Sequence, residues 1–349
     1  MARWGKLPGE PNFDVNVSTA PSLDSSQRPT GRFARGLILV NPQSFRMSLR
    51  GRLERVTRLA RERDMPLVLA SKPAQMAASI DEALETGTEL ITLLGGDGTL
   101  QAAVSILAHR GQQAHEELPR LLMLGGGRTN YTARDLGTHR DLVDTLSMAI
   151  DTPDKLKETR RHSLCIEQDG HREYGFFIAG ALIDHVIRDC HRYRASGKGF
   201  LRTGHPSSAW RVMQLAVKGL LGRSDFQAPS LTVDAGALGS LKRPTRLMLL
   251  TSLHHRNEWI DPYADRGQGE IRVSVIASDA PRFWLRMPAL VSGRYGDSMV
   301  PEHGYLSGRT GQVVVQGLSR ICLDGQEHDF DPARELTIST GPALRFVHR

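Results

Sequence analysis

The pattern of apolar and polar positions changes character twice along the chain. Up to residue 34 there is no periodic apolar pattern, and Pro, Ser and Asn are frequent, as in a tail that cannot bury a core. Gly36-Leu-Ile-Leu-Val40 is then continuously apolar, as expected of a strand covered on both faces of a parallel sheet. Residues 48–63 carry Leu49, Leu53, Val56, Leu59 and Ala60 on one face of an Arg-rich helical segment. A strand at 66–70, a helix at 74–86 ended by Gly87, a strand at 89–94, a helix from Thr99 to about residue 110 and a strand at 120–124 follow. This alternation predicts a doubly wound, Rossmann-like α/β domain.

Past residue 160 the rhythm is lost. Short β-like runs at 174–179, 231–233, 246–251, 271–276, 312–315 and 320–323 are separated by glycines, with helical pieces near 181–195, 206–221 and 281–293. They predict a mainly antiparallel, sandwich-like second domain. A last run at 335–339 can join either domain. The division expected is a tail at 1–34, an α/β domain at 35–158 together with about 330–349, and a β-rich domain at 159–329.

Composition narrows the class. A chain of 349 residues has room for two domains, and 40% hydrophobic with 24% charged residues is ordinary globular composition. Cys165, Cys190 and Cys322 are too few and too scattered for a disulfide framework, and fit a reducing cytosol. No stretch approaches the roughly 18 apolar residues of a membrane span, and the N-terminus has no apolar signal-peptide core. The excess of 45 Lys and Arg over 38 Asp and Glu, net +7, favours an anionic partner. Basic residues are not interleaved with aromatics as in base-stacking platforms, so no nucleic acid is expected.

The sharpest chemical signal is Gly95-Gly96-Asp97-Gly98-Thr99, at a predicted strand-to-helix junction. Glycines there let backbone N–H groups approach a phosphate at the positive end of a helix. Asp97 suits a metal-bound nucleotide or an acceptor hydroxyl, and Thr99 a phosphate contact or a helix cap. A tight turn with satisfied donors is the plainer alternative. Gly125-Gly126-Gly127-Arg128-Thr129 also follows a strand, and two such loops at adjacent strand ends would share one crevice. Arg128 and Thr129 would reach phosphate oxygens there, or Thr129 would only cap a helix. Asp324-Gly325-Gln326-Glu327 alone reads as a hairpin turn.

Between Arg188 and Arg223 eight Lys/Arg stand against one acid, Asp189, and Trp210, Met213, Val217 and Leu220 share a helical face. An interfacial helix on an anionic bilayer has this pattern, and so does a core helix with a solvated rim. His185, Cys190 and His191, and likewise His254 and His255, lack zinc spacing.

Gly95–Thr99, the Asn41-Pro42-Gln43-Ser44 turn, the Gly127–Gly137 stretch and Leu323-Asp324-Gly325-Gln326 together resemble, in order and spacing, the catalytic domain of the diacylglycerol kinase/sphingosine kinase family of lipid kinases. The resemblance implies ATP bound between a Rossmann-like domain and a β-sandwich domain, with magnesium, and transfer of phosphate to a lipid hydroxyl. Asn41, Ser44, Ser71, Gly95, Gly96, Gly98, Thr99, Gly127, Arg128 and Thr129 would then hold the nucleotide, and Asp97 also the metal. Asp97, Asp324, Gln326 and Glu327 are the catalytic candidates. A soluble cytoplasmic protein that docks peripherally on the inner face of the membrane is the expected setting.

The chain departs from the family pattern where it has Phe45 for a glycine and Arg128 for a threonine. Ala70, beside Ser71, stands for another threonine, Gln268 for a structural magnesium ligand, and Gln326 for the glutamate that accepts a proton. A degenerate lipid- or nucleotide-binding relative is therefore a second reading. A third, an NAD kinase, shares the glycine motif, but Asn257-Glu258 lies too far downstream of Asp97 for that family's Asn-Glu pair.

Overall fold

The apolar runs of the N-terminal part pair as parallel strands with helices on both faces. The computed structural model describes residues 36–49, 51–114, 118–125, 141–195, 226–254 and 261–348. The expected tail, the helix at 206–221, the Asn257-Glu258 pair and the loop holding Gly127, Arg128 and Thr129 lie outside the described residues.

Strands β1 (Leu37–Val40), β2 (Leu67–Leu69), β3 (Leu90–Gly95) and β4 (Arg120–Gly125) lie in the order β2-β1-β3-β4. β1 runs parallel to both β2 and β3, and β3 is in register with β4 from Leu90↔Arg120 to Gly95↔Gly125. Alternate residues of each strand feed opposite cores. Leu37, Leu39, Ile91, Leu93, Leu121 and Met123 face α2 (Pro73–Glu85) and α3 (Asp97–Ala114). Ile38, Val40, Leu94, Leu122 and Leu124 face α1 (Arg52–Glu62) and α4 (Leu142–Asp151). Burial on both faces is why these strands carry no polar alternation.

The C-terminal part is mostly antiparallel. β5 (Lys157–Gln168) and β6 (His171–Gly175) form a hairpin, and β7 (Phe177–Ala181) leads into α5 (Leu182–Ala195). β8 (Ser230–Asp234), β9 (Ser240–Thr251), β10 (Ile271–Ala277), α6 (Phe283–Val291), β11 (Tyr305–Thr310), β12 (Gln312–Gln316), β13 (Arg320–Leu323) and β14 (Gln326–Asp329) follow. Their inner faces enclose a second core containing Ile178, Met248, Leu250, Val273, Val275, Leu306, Val313 and Ile321.

One strand joins the two parts. β15 (Leu336–His348) is antiparallel to β12 through Leu336–Ser339 and to β5 over nearly its whole length, and parallel to β4 at Phe346↔Leu121. Leu344 and Phe346 enter the core beneath α2 and α3, while Val347 enters the core on the opposite face. Its sequence run ended at 339, but pairing with β5 carries the strand to His348.

Candidate functional site

The order β2-β1-β3-β4 places a topological switch point between β1 and β3, where the chain leaves the sheet toward opposite sides. In open α/β sheets the crevice outside the carboxyl ends of such strands is where ligands bind. Asn41 follows β1, and its backbone N–H extends the ladder by donating to the Leu94 carbonyl at 2.9 Å. Across the switch point Asn41 Nδ2 donates to Thr99 Oγ1 at 3.0 Å, so the loops after β1 and β3 are tied side chain to side chain. Asn41 Oδ1 accepts from the Gln43 N–H at 3.0 Å, and Ser44 Oγ donates to the Asn41 carbonyl at 2.9 Å. The turn continues through Phe45, whose carbonyl accepts from Ser48 Oγ.

The glycines of the β3–α3 junction answer to packing as well as to turn geometry. A Cβ on Gly95 would overlap the Thr99 side chain, which is buried directly over it. The Gly96 carbonyl accepts the N–H groups of Thr99 and Leu100, starting the helix at Asp97. The first turn of α3, with its outward N–H groups, therefore opens at the switch point. One turn on, Gln101 Nε2 and Ser105 Oγ donate to the Tyr174 carbonyl at 3.3 and 3.0 Å, pinning α3 to β6.

The C-terminal part reaches this junction through the β13–β14 hairpin. Asp324 and Gly325 have φ of 46° and 86°, the left-handed pair a two-residue hairpin turn requires. A Cβ on Gly98 would overlap the Gln326 side-chain amide, so Gln326 lies against the first turn of α3. Two motifs far apart in sequence thus touch at one point.

The neighbours of Gln326 are engaged elsewhere. Asp324 is buried, and its two carboxylate oxygens accept the N–H groups of Phe176 and Phe177 at 2.8 and 2.9 Å. These bonds lock the turn to the start of β7. Exchanging Asp324 for Asn turns one acceptor into a donor facing a donor, and should cost about 1–3 kcal/mol of unfolding free energy. Urea denaturation checks this, and an unchanged midpoint would remove the lock.

Glu327, one residue on in the strand, points to the other face, where Oε2 lies 3.3 Å from Arg188 Nη1. Arg188 is itself buried, donating Nε to both Asp184 oxygens at 2.9 and 3.0 Å and Nη2 to the Ile321 and His328 carbonyls. Arg188, the first of the eight basic residues between 188 and 223, is thus paired with Asp184, one helical turn earlier. Burial, and then Asp184, pushes the neighbouring Cys322 thiol up to about 12.

Ser71 lies after β2, where its N–H and hydroxyl both donate to Gln75 Oε1 at 3.0 and 3.2 Å, at the start of α2. Gln268 is exposed, between Gly267 and Gly269. Sequence reading missed the Asn41–Thr99 bond and the contact of Gln326 with Gly98. Both depend on which strand ends become neighbours, for which the local sequence carries no signal.

Residues 35–157 match the family model described as the diacylglycerol kinase catalytic domain. No curated protein matches the chain significantly. Among solved structures, that of a diacylglycerol kinase from Bacillus anthracis str. Sterne is similar over 90% of this chain and 96% of its own, at 12% identity and a TM-score of 0.57. A second structure from that organism, described as a candidate diacylglycerol kinase, is similar over 94% of this chain and 99% of its own, at 12% identity and a TM-score of 0.62. At such identities the likeness is one of fold. Residues 35–157 thus match the diacylglycerol kinase catalytic domain, and the chain as a whole has the fold of solved structures bearing that name.

Proposed function

We propose that the protein is an ATP-dependent lipid kinase that phosphorylates a lipid hydroxyl, diacylglycerol-like or sphingoid, at the cytoplasmic face of a membrane. The observation that carries this reading is the meeting of Gln326 with Gly98 at the start of α3, beside the Asn41–Thr99 bond. A nucleotide-side motif and an acceptor-side motif then share one crevice.

The junction suits a phosphate chain, because the first turn of α3 brings its N-terminal N–H groups to the switch point, where Gly95 and Gly98 let the Thr99 and Gln326 side chains pack close. Asn41, Ser44 and Thr99 would line the nucleotide side, with Ser71 at the β2 end. Gly127, Arg128 and Thr129 are assigned to the nucleotide by the resemblance of their motif. Asp97, at the first position of α3, is the residue assigned to magnesium, which would neutralise phosphate charge during transfer.

In the transfer the lipid oxygen bonds to the terminal phosphorus as the bond to ADP breaks, and the hydroxyl proton passes to solvent. Gln326 would orient the hydroxyl through its amide oxygen. Asp324 and Glu327 would serve as positioning residues, through the Phe176–Phe177 amides and through Arg188. Phosphoryl transfer rests mainly on such positioning and on electrostatics, so an amide at 326 is compatible with slow turnover.

The test is ATP consumption with magnesium and mixed micelles carrying diacylglycerol, sphingosine or ceramide, beside Asp97→Ala. Lipid-dependent turnover that falls by about 10²-fold or more in the variant is expected. ATP binding with no stimulation by any of these lipids would favour a binding protein instead, the reading that the Gln326 amide supports.

A further inference from the structure

At the start of α6 an exposed apolar pair stands among arginines. Trp284 is 51% and Leu285 77% exposed, although Phe283 and Leu290 of the same helix are buried in the C-terminal core. The Phe283 ring meets the Trp284 ring edge-on at 5.2 Å, so the exposed pair is held out by a fixed neighbour. Adjacent large apolar side chains in water are unfavourable unless something covers them.

The charges around this tip are nearly all positive. Arg246 sits with its guanidinium carbon 4.6 Å from the Phe283 ring centroid and donates to the Ser278 carbonyl at 3.0 Å. Arg282 is exposed just before the helix. Arg286 donates to the Ser298 carbonyl and hydroxyl. Among the described residues no carboxylate pairs with Arg246, Arg282 or Arg286, and the nearby Asp279 pairs with Arg243 at 3.2 Å. Arg246, Asp279, Arg282, Phe283 and Trp284 line one open concavity. Burial lowers the Arg246 guanidinium from its usual value, the mark of a cation whose lost hydration no anion replaces.

We infer that the Trp284–Leu285 tip of α6 inserts into the interface of an anionic bilayer, with Arg246, Arg282 and Arg286 reaching lipid phosphates. An indole at headgroup depth with arginines above it matches the layering of that interface. The surface is separate from the crevice. Leu247, next to Arg246, pairs with Ala181 at one end of β7, whereas Phe177, held by Asp324, pairs with Thr251 at the other. Four residue rises make about 13 Å along the sheet. The purpose of such docking rests on the lipid-kinase reading, but the binding is measurable without catalysis.

The experiment is flotation of the full chain with phosphatidylcholine vesicles, with and without phosphatidylglycerol. Wild type should float with the anionic vesicles only. The pair Trp284→Ala and Leu285→Ser should lower the bound fraction by about tenfold or more. Arg282→Gln should lower it by about fivefold and weaken its salt dependence. Both changes are on exposed side chains, and the variants should keep the wild-type thermal midpoint. Equal flotation of the apolar double variant would overturn the inference, as would equal binding to neutral vesicles. So would a wild-type dimer, by sedimentation velocity, that the double variant dissolves. Turnover on a short-chain acceptor without vesicles separates the two questions. If it is absent the kinase reading fails while flotation still decides the surface, and if it is present in both proteins the variant's defect lies in docking.

Discussion

Gln326→Glu is expected to raise lipid-dependent ATP turnover by about 10²-fold, the lower part of what a positioned general base contributes. The side chain at 326 already lies at the first turn of α3, against a glycine that leaves it room. Glutamate has the reach of glutamine and exchanges an amide that cannot take a proton for a carboxylate that can. The helix N-terminus stabilises the carboxylate and so makes it a weaker base, which is why the gain stays toward the low end. The pH profile of turnover should also acquire an acidic limb as the new carboxylate titrates. Initial rates with saturating ATP, magnesium and diacylglycerol micelles check both outcomes. A folded, ATP-binding variant with no gain would dismiss the acceptor role of position 326 and move the balance toward a binding protein.

Arg188→Ala should destabilise the fold by about 3–5 kcal/mol at pH 7, among the largest effects of any single change outside the cores. The guanidinium spans three carboxylates, Asp184, Glu327 and Asp329, and two carbonyls of the β13–β14 hairpin. Its removal leaves Asp184, 3% exposed, without its cation. Burial already pushes the Asp184 carboxyl above its ordinary value, against the pull of Arg188, and losing Arg188 pushes it further. A carboxyl raised by folding holds its proton in the folded chain at pH values where the unfolded chain has released it. The stability this gives is present below the unfolded value of 3.8 and is lost as pH rises through the folded value. The Arg188→Ala penalty, relative to wild type, should therefore be smaller at pH 5 than at pH 7. Urea unfolding at both pH values measures it, and a penalty that grows on acidification would contradict this account.

The parts of the fold that the sequence displays are those whose neighbours are uniform. β1, β3 and β4 are buried on both faces and so read as unbroken apolar runs, and the glycine loops mark their ends. β5, by contrast, begins Lys-Glu-Thr-Arg-Arg-His and shows no strand pattern over those residues, because β15 alone holds it extended there. The last part of β15 was hidden for the same reason, and β14 is a polar edge strand whose extent the turn sets. At the site, Gly95, Gly98 and Thr99 stood out through their glycine-rich setting, and Asn41 only through the resemblance of its turn to that of a known family. The engagement of Asp324 with two backbone amides, and of Glu327 with Arg188, depends on β7 and α5 lying beside the hairpin. No spacing encodes that: Gln326 lies against α3, whereas Asp324 and Glu327 are bonded to the start of β7 and to α5.

β15 sets a constraint on how the molecule is made. During synthesis β4 emerges long before β15, its neighbour in the sheet. Until then one edge of the N-terminal sheet has no strand beside it, and the pocket that receives Phe346 against Phe176 is unfilled. An uncapped parallel edge is a template for pairing with other chains. Residues 35–157 expressed alone would keep that edge for good, so the segment that matches the family model is a unit of sequence comparison rather than a unit of folding, and β4 gains its second neighbour only when the last strand is made.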